Sequence, residues 1–131
     1  MKSINLLGAA TAIVMAATPA FAANWVYITS VKSGTFHYYD ADTIRRSGNY
    51  VTVWEKRDHS FDKTVKARET KTQIRFNCAE RTLTVLDFTK YYPDGKTETT
   101  TVPTYQQEVQ SVIPDTIGET ILKAVCEATA P

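Results

Sequence analysis

The sequence is poor in the residues on which most catalytic and metal sites depend. Its 131 residues include only two cysteines and two histidines, and no Gly-x-Ser-x-Gly motif presents a nucleophilic serine. A zinc site takes three or four ligands, so two histidines would need nearby carboxylates to complete one. We therefore expect no catalytic residues, no cofactor and no metal site.

The chain also has almost no net charge and, after residue 22, no long apolar run. Its 15 basic residues nearly balance its 14 acidic ones, which argues against a general nucleic-acid binder, because attraction to phosphates needs a large positive excess. After residue 22 no apolar stretch is long enough to cross a bilayer, so no membrane span is expected there.

The N-terminus has the pattern of a secretory signal peptide. Lys2 precedes an apolar segment, residues 4–17, and Ala20-Phe21-Ala22 offers small residues where a signal peptidase cleaves. An uncleaved membrane anchor would need a longer run. We expect a signal peptide over residues 1–22 and one domain over 23–131. The protein would be periplasmic or secreted, with no cysteine at the cleavage point to carry a lipid.

The two cysteines, Cys78 and Cys126, both lie in the part expected to be exported. An even count in an oxidising compartment indicates one disulfide. A metal pair would need further ligands at short spacing, and none is present. We predict a Cys78–Cys126 bond, which suits a domain of this size because a small core benefits from a covalent link.

Most of the chain alternates polar and apolar residues with a period of two, which predicts β-strands. Val51 and Val53 share one face of "YVTVWEKR", and Pro93-Asp94-Gly95-Lys96 forms a strong hairpin turn. The fold class we predict is α+β, a single antiparallel sheet of about six strands with a C-terminal α-helix packed on it.

The helix is predicted in "PDTIGETILKAVC". Asp115 or Thr116 would cap its N-terminus, and Thr116 with Glu119 matches a capping box. The apolar residues of this segment then share one face, as helical spacing requires; they are Ile117, Ile121, Leu122 and Val125.

Asp40 and Asp42 are spaced as in a calcium loop. The other positions of such a loop would be Ile44, Arg45 and Val51, which cannot ligate a cation. We interpret the pair as architecture, with Asp40 capping a short helical turn through Thr43 and Ile44 and Gly48 ending it.

His37 and His59 each have aspartates close in the sequence. Such neighbours are common on polar surfaces, and adjacency of Ser, His and Asp in "RDHSFD" is not the geometry of a triad. Haem ligation by tyrosine or histidine is a further alternative. A small hydrolase or a haem- or ligand-handling protein therefore stays open, and a deep cleft holding both histidines would favour it.

Residues 56–75 carry the uneven charge of the chain, with seven basic and three acidic residues. This segment predicts a basic surface with an aromatic anchor, and its candidate binding residues are Phe61, Lys63, Lys66, Arg68 and Lys71. The alternative is a solvated hairpin whose charges protect a sheet edge.

A set of motifs resembles the surface-adhesin protein E-like domain of Gram-negative bacteria. They are Trp25, "YYDADTIRRSGNYVTVW", Lys71, "IRFNCAERT", "YYPDGK", Pro103 and "VIPDTIGETILKAVC". The resemblance covers nearly all of residues 23–131. It implies a compact antiparallel sheet with a disulfide-linked C-terminal helix and a non-enzymatic binding role outside the cytoplasm.

The partner that this resemblance implies is a host matrix protein such as vitronectin or laminin. The basic segment suits an acidic protein surface or an anionic polymer equally well. The sequence is silent on the oligomeric state.

Overall fold

The structure is a computed structural model that describes residues 22–131 together with Gly8, Ala10 and Thr11. The expected signal peptide lies outside the described residues except for these three and Ala22. None of the helices in the described part is long and apolar enough to cross a membrane.

The domain is one antiparallel sheet followed by one α-helix. The strands are β1 Trp25–Ser30, β2 Phe36–Asp40, β3 Arg45–Ser47, β4 Tyr50–Asp58, β5 Glu69–Asn77, β6 Thr82–Tyr91, β7 Thr97–Thr101 and β8 Gln110–Ser111. A short 3-10 helix covers Thr104–Gln106, and α1 covers Ile117–Ala128.

Six of the strands form a continuous path in the order β1-β2-β4-β5-β6-β7. Two short strands lie off this path, where β3 pairs with β4 and β8 pairs with β6. The predicted sheet of about six strands is therefore confirmed, with β3 and β8 as additions. Both are too short to show a period-two pattern.

The core lies between the sheet and α1. Alternation along β4 and β5 turns Val51, Val53, Ile74 and Phe76 to the same side, and each is at most 3% exposed. The helix covers them with its apolar stripe, in which Ile121, Leu122 and Val125 are buried. We call this side of the sheet the helix-side face and the other side the open face.

Two local features fix α1 in place. Thr116 is the N-cap, and its side chain accepts a hydrogen bond from the Glu119 backbone N–H at 3.3 Å. The Glu119 carboxylate reaches the backbone N–H of Asp115 at 3.4 Å rather than that of Thr116. The predicted disulfide is confirmed, since Cys78 at the end of β5 is bonded to Cys126 in the helix.

Asp40 supports a turn, although not the helical turn expected from the sequence. Its carboxylate accepts hydrogen bonds from the backbone N–H groups of Asn24 and Asp42 and from the Thr43 hydroxyl, at 2.9, 3.1 and 2.7 Å. The expectation of a helical turn was wrong because residues 45–47 pair with β4 as β3. Gly48, with a φ of 58°, lies in the turn that joins β3 to β4 and so does not end a helix.

Candidate binding site

The loop of residues 59–68, here the β4–β5 loop, is fixed to the rest of the domain by Asp62. This carboxylate is only 5% exposed and accepts hydrogen bonds at 2.7 Å from Ser33 and Thr35 in the β1–β2 connection. Thr64 adds its side chain and, at 3.0 Å, its backbone N–H. Hydrogen bonds from Thr64, Thr35 and Ser33 hold the pKa of Asp62 well below its usual range, so the anchor stays charged.

Gly34 allows the β1–β2 connection to approach this loop closely. Its φ is +111°, and a Cβ atom there would lie 2.7 Å from the carbonyl oxygen of Phe61. Both conditions favour glycine, because other residues rarely adopt this φ and none could fit against the loop backbone without movement. The β4–β5 loop is thus anchored to the β1–β2 connection at Asp62 and Gly34, while most of its side chains are exposed.

His59 closes the same network. Its Nδ1 lies 2.9 Å from the Thr35 hydroxyl and its Nε2 lies 3.0 Å from the Thr70 hydroxyl. Because Thr35 donates its single proton to Asp62, it must accept one from Nδ1, which leaves Nε2 to accept from Thr70. Burial, followed by the nearby Arg57 charge, lowers the pKa of His59, so the ring is neutral and both nitrogens are occupied.

The structure places four of the five predicted binding residues on this loop. Phe61 is 74% exposed, and Lys63, Lys66 and Arg68 are exposed as well. Lys71 lies apart from them, on the open face in β5. Within the described residues, no ion pair with an acidic side chain is formed by the cationic members of the set, Lys63, Lys66, Arg68 and Lys71.

The open face connects Lys71 to the loop through a row of aromatic and lysine side chains. Phe61 packs edge-on against Phe36 with ring centroids 6.1 Å apart. Phe36 lies 6.3 Å from Tyr27, which in turn lies 5.8 Å from Tyr38. The exposed loop aromatic is therefore one end of a continuous row of rings.

Two lysines continue the row across the sheet. The Nζ atom of Lys56 lies 4.6 Å from the ring centroid of Tyr38 and 4.9 Å from that of Trp25. The Nζ atom of Lys71 lies between Trp25 and Tyr91, at 5.8 and 5.0 Å. All four distances suit cation–π attraction, which holds these two flexible lysines over the sheet.

We call this surface the aromatic–lysine face. It consists of Trp25, Tyr27, Phe36, Tyr38, Lys56, Phe61, Lys71 and Tyr91. Sequence reasoning found only Phe61 and Lys71 among these. The alternation of Trp25 and Tyr27 was a visible signal, but only the pairing of β1 with β2 and β4 brings the other members beside them.

A second polar cluster lies on the helix-side face and was missed by the sequence reasoning. Glu55 is completely buried, and its Oε1 accepts hydrogen bonds from His37 Nδ1 at 2.8 Å and Arg57 Nε at 2.9 Å. Oε2 has no partner among the described residues. Continuing the alternation of Val51 and Val53 by one step would have placed Glu55 inside.

Glu55 keeps its charge in this position. Burial raises the pKa of its carboxyl, but hydrogen bonds from His37 and Arg57 and the Arg57 charge outweigh that effect and lower the pKa.

Two cavities adjoin this cluster. One, of about 340 Å³, is lined by His37, Glu55 and Arg57 among others, and a second, of about 450 Å³, is lined by Arg57 and His59. The two linings share Arg57 and Val85, and His37 borders the first cavity while His59 borders the second. In the part of the chain described, no group of three or more acidic, cysteine or histidine residues could hold a metal ion.

Comparison with known proteins supports the fold and the family. A model of the family "Surface-adhesin protein E" matches residues 25–127, most of the chain. The chain belongs to the surface-adhesin protein E family. No curated protein matches it.

Solved structures of Haemophilus influenzae protein E share the fold of this family member. Its crystal form II is 21% identical, with a TM-score of 0.54 and coverage of 77% of this chain and 87% of that one. The selenomethionine form is 20% identical, with a TM-score of 0.55 and coverage of 85% and 98%. Protein E from a non-typeable strain is 20% identical, with a TM-score of 0.51 and coverage of 77% and 75%.

Membership in the surface-adhesin protein E family makes this an adhesin-like protein. At 20–21% identity the solved structures show the fold alone.

Proposed function

We propose that the protein is an exported, non-enzymatic binding module that holds an acidic protein surface or an anionic polymer. The contact surface comprises the β4–β5 loop and the aromatic–lysine face. The observation that carries this proposal is the unbroken row of rings from Phe61 to Tyr38, continued by Lys56 and Lys71. A host matrix protein is the partner that the family suggests.

The arrangement suits recognition because it is fixed before a partner arrives. Asp62 and Gly34 hold the β4–β5 loop, so less conformational entropy is lost when Phe61, Lys63 and Lys66 meet a partner. Aromatic residues and arginine dominate the binding energy of many interfaces. Exposed lysines act mainly on the association rate.

The test is a binding titration against vitronectin, laminin and a heparin-like polymer, repeated at increasing salt. We expect binding to weaken between low salt and about 0.15 M, where the screening length falls to about 8 Å. Two double charge reversals, Lys66→Glu with Arg68→Glu and Lys56→Glu with Lys71→Glu, should each weaken it further. The loop reversal should leave the unfolding curve almost unchanged, because exposed charges contribute little to stability. The Lys56 and Lys71 reversal should lower the free energy of unfolding by about 1–2 kcal/mol, because these half-buried lysines lose their cation–π contacts.

A matched control carries the same change of net charge elsewhere. Lys96→Glu with Lys123→Glu alters two exposed lysines, on the β6–β7 turn and on α1. If affinity falls equally in the control and in both test variants, then overall charge and not this surface causes the loss of affinity. A partner insensitive to salt and to all reversals would contradict the proposed surface.

The non-enzymatic part of the proposal has its own test at Thr70 and His59. Their hydrogen bond resembles a hydroxyl beside a general base, although the carboxylate of Asp62 reaches the ring only through Thr35. We expect no hydrolysis of simple activated esters beyond that shown by Thr70→Val. Turnover that disappears in Thr70→Val and in His59→Gln would contradict this expectation.

Export is also a proposal, supported by the signal-peptide pattern of residues 1–22. The mature chain should begin at Ala23, with delivery to the periplasm or the medium. The intact mass of the protein recovered from each fraction of the native host measures this directly. A mass that retains residues 1–22 would contradict it.

A further inference from the structure

The helix-side face carries a groove that the aromatic–lysine face does not explain. Two cavities of about 340 and 450 Å³ lie on this face, and the N-terminal part of α1 lines the first of them. Volumes of this size fall at the small end of the range of ligand sites, about 300–1,000 Å³. We call the first the tail cavity and the second the head cavity.

The tail cavity is mainly apolar and ends at a buried polar cluster. Its apolar lining comes from β5, β6 and α1 and comprises Ile74, Phe76, Leu83, Ile117 and Ile121. Glu55 also lines it and is completely buried, with Oε2 unpartnered among the described residues. This buried negative charge disfavours an anionic head group at this end of the groove.

The head cavity is cationic. Arg57 and Lys90 line it together with two hydroxyl side chains, Thr70 and Thr72. Arg57 uses only its Nε to bind Glu55, so the N–H groups on its two Nη atoms have no hydrogen-bond partner in the described part of the chain. Its side chain is 41% exposed, so those donors are open to a ligand.

The charges favour an anion in the head cavity. Glu55 and Arg57 neutralise each other as a pair, and Lys90, whose cross-strand neighbour in β7 is Glu98, adds a positive charge to that cavity. The acidic Glu108 lies at the other side of the groove, in a smaller cavity of about 230 Å³ shared with Val85 and Phe88. A planar carboxylate fits the remaining guanidinium N–H groups, which are arranged as a fork.

We propose that this groove binds a slim amphipathic monocarboxylate, with its carboxylate at Arg57 and Lys90 and its apolar chain in the tail cavity beneath α1. The two cavities share Arg57 and Val85, so one elongated molecule can occupy both. This inference concerns the opposite face of the sheet and does not depend on the proposed adhesin-like contact.

The test uses straight-chain carboxylates from four to ten carbons, titrated by calorimetry into the protein as purified from its native host. Affinity should rise about fourfold per methylene, the gain from burying one CH₂ group, until the tail cavity is full. The alkylamine of equal length serves as the reference for the head group. It should bind at least tenfold more weakly, because its charge meets Arg57 and Lys90.

Two substitutions with matched controls locate the site. Lys90→Glu should weaken binding of the ten-carbon acid about tenfold or more, whereas Lys96→Glu, on an exposed turn outside both cavities, should not. Val85→Trp should abolish binding by filling the junction of the cavities. Val109→Trp adds the same bulk at a side chain that is 70% exposed and lies outside the groove, and it should have no effect.

Chemical shifts of the Ile117 and Ile121 methyl groups report occupancy of the tail cavity even if a variant is less stable. No binding by any of the acids, or amine binding as tight as acid binding, would overturn the proposal. So would an affinity independent of chain length, or equal effects of Val85→Trp and Val109→Trp. The Lys56→Glu, Lys71→Glu reversal on the aromatic–lysine face should leave acid binding unchanged, so the two proposals can fail separately.

Discussion

Replacing Gly34 with alanine should release the β4–β5 loop from the β1–β2 connection. Two costs combine at this position. Placing a non-glycine residue at a φ of +111° costs about 1–3 kcal/mol. The new Cβ atom would also lie 2.7 Å from the Phe61 carbonyl oxygen, where ordinary contact begins at 3.4 Å. Relieving that overlap shifts packed backbone, at a further cost of about 1–3 kcal/mol.

We expect Gly34→Ala to lower the free energy of unfolding by about 2–6 kcal/mol. Gly48→Ala is the matched control. Gly48 also has a positive φ, of 58°, but a Cβ atom there meets nothing within 4 Å. It should cost only about 1 kcal/mol, the penalty for the left-handed conformation alone. The difference between the two variants contains the steric contact with the loop and the additional backbone strain at a φ of +111°.

Urea unfolding of both variants measures these values. Hydrogen exchange at the backbone amides of His59 and Asp62, which donate to Arg68 and His59, shows whether the loop opens alone or with the whole domain. If Gly34→Ala costs no more than Gly48→Ala and the loop amides stay protected, then close approach does not require glycine here. The argument that the loop is preorganised for binding would fail with it.

Three further outcomes are expected. Reducing the Cys78–Cys126 bond, which spans 48 residues, should cost about 4 kcal/mol of unfolding free energy, and a Cys78→Ala, Cys126→Ala variant should no longer respond to reductant. Asp40→Ala should lower the free energy of unfolding by about 2–3 kcal/mol, because the three donors that bind its nearly buried carboxylate lose their acceptor. Asp42→Ala should be almost neutral, and an equal cost for both variants would contradict this interpretation. His59 is buried and its pKa is lowered from the ordinary value of 6.5, so near that pH the unfolded state binds more protons than the folded state. Stability should therefore fall as the pH is lowered from about 7 to about 5. Denaturant titrations should show a weaker dependence on pH for His59→Gln, and the same dependence in both proteins would contradict this.

The sheet and the helix could be predicted because their signals are local. Val51 and Val53 share a face by alternation, and Thr116 before an apolar stripe marks a helix start, whatever the rest of the chain does. The disulfide followed from counting, since two cysteines allow one pairing. The turn after Asp40 was misread as helical because Arg45–Ser47 pairs with β4, and that partner lies outside the local window.

The sequence by itself determined the strand pattern, the capped helix, the disulfide and the family resemblance. Each of these depends on neighbours along the chain or on a simple count. The tertiary structure alone decided which side chains work together. Phe61 joins Phe36, and Lys71 joins Trp25, only because strands distant in sequence pair in this order. His37 meets Glu55 and Arg57 for the same reason, since cross-strand register sets these distances, whereas Glu55 and Arg57 share a face of β4 by alternation.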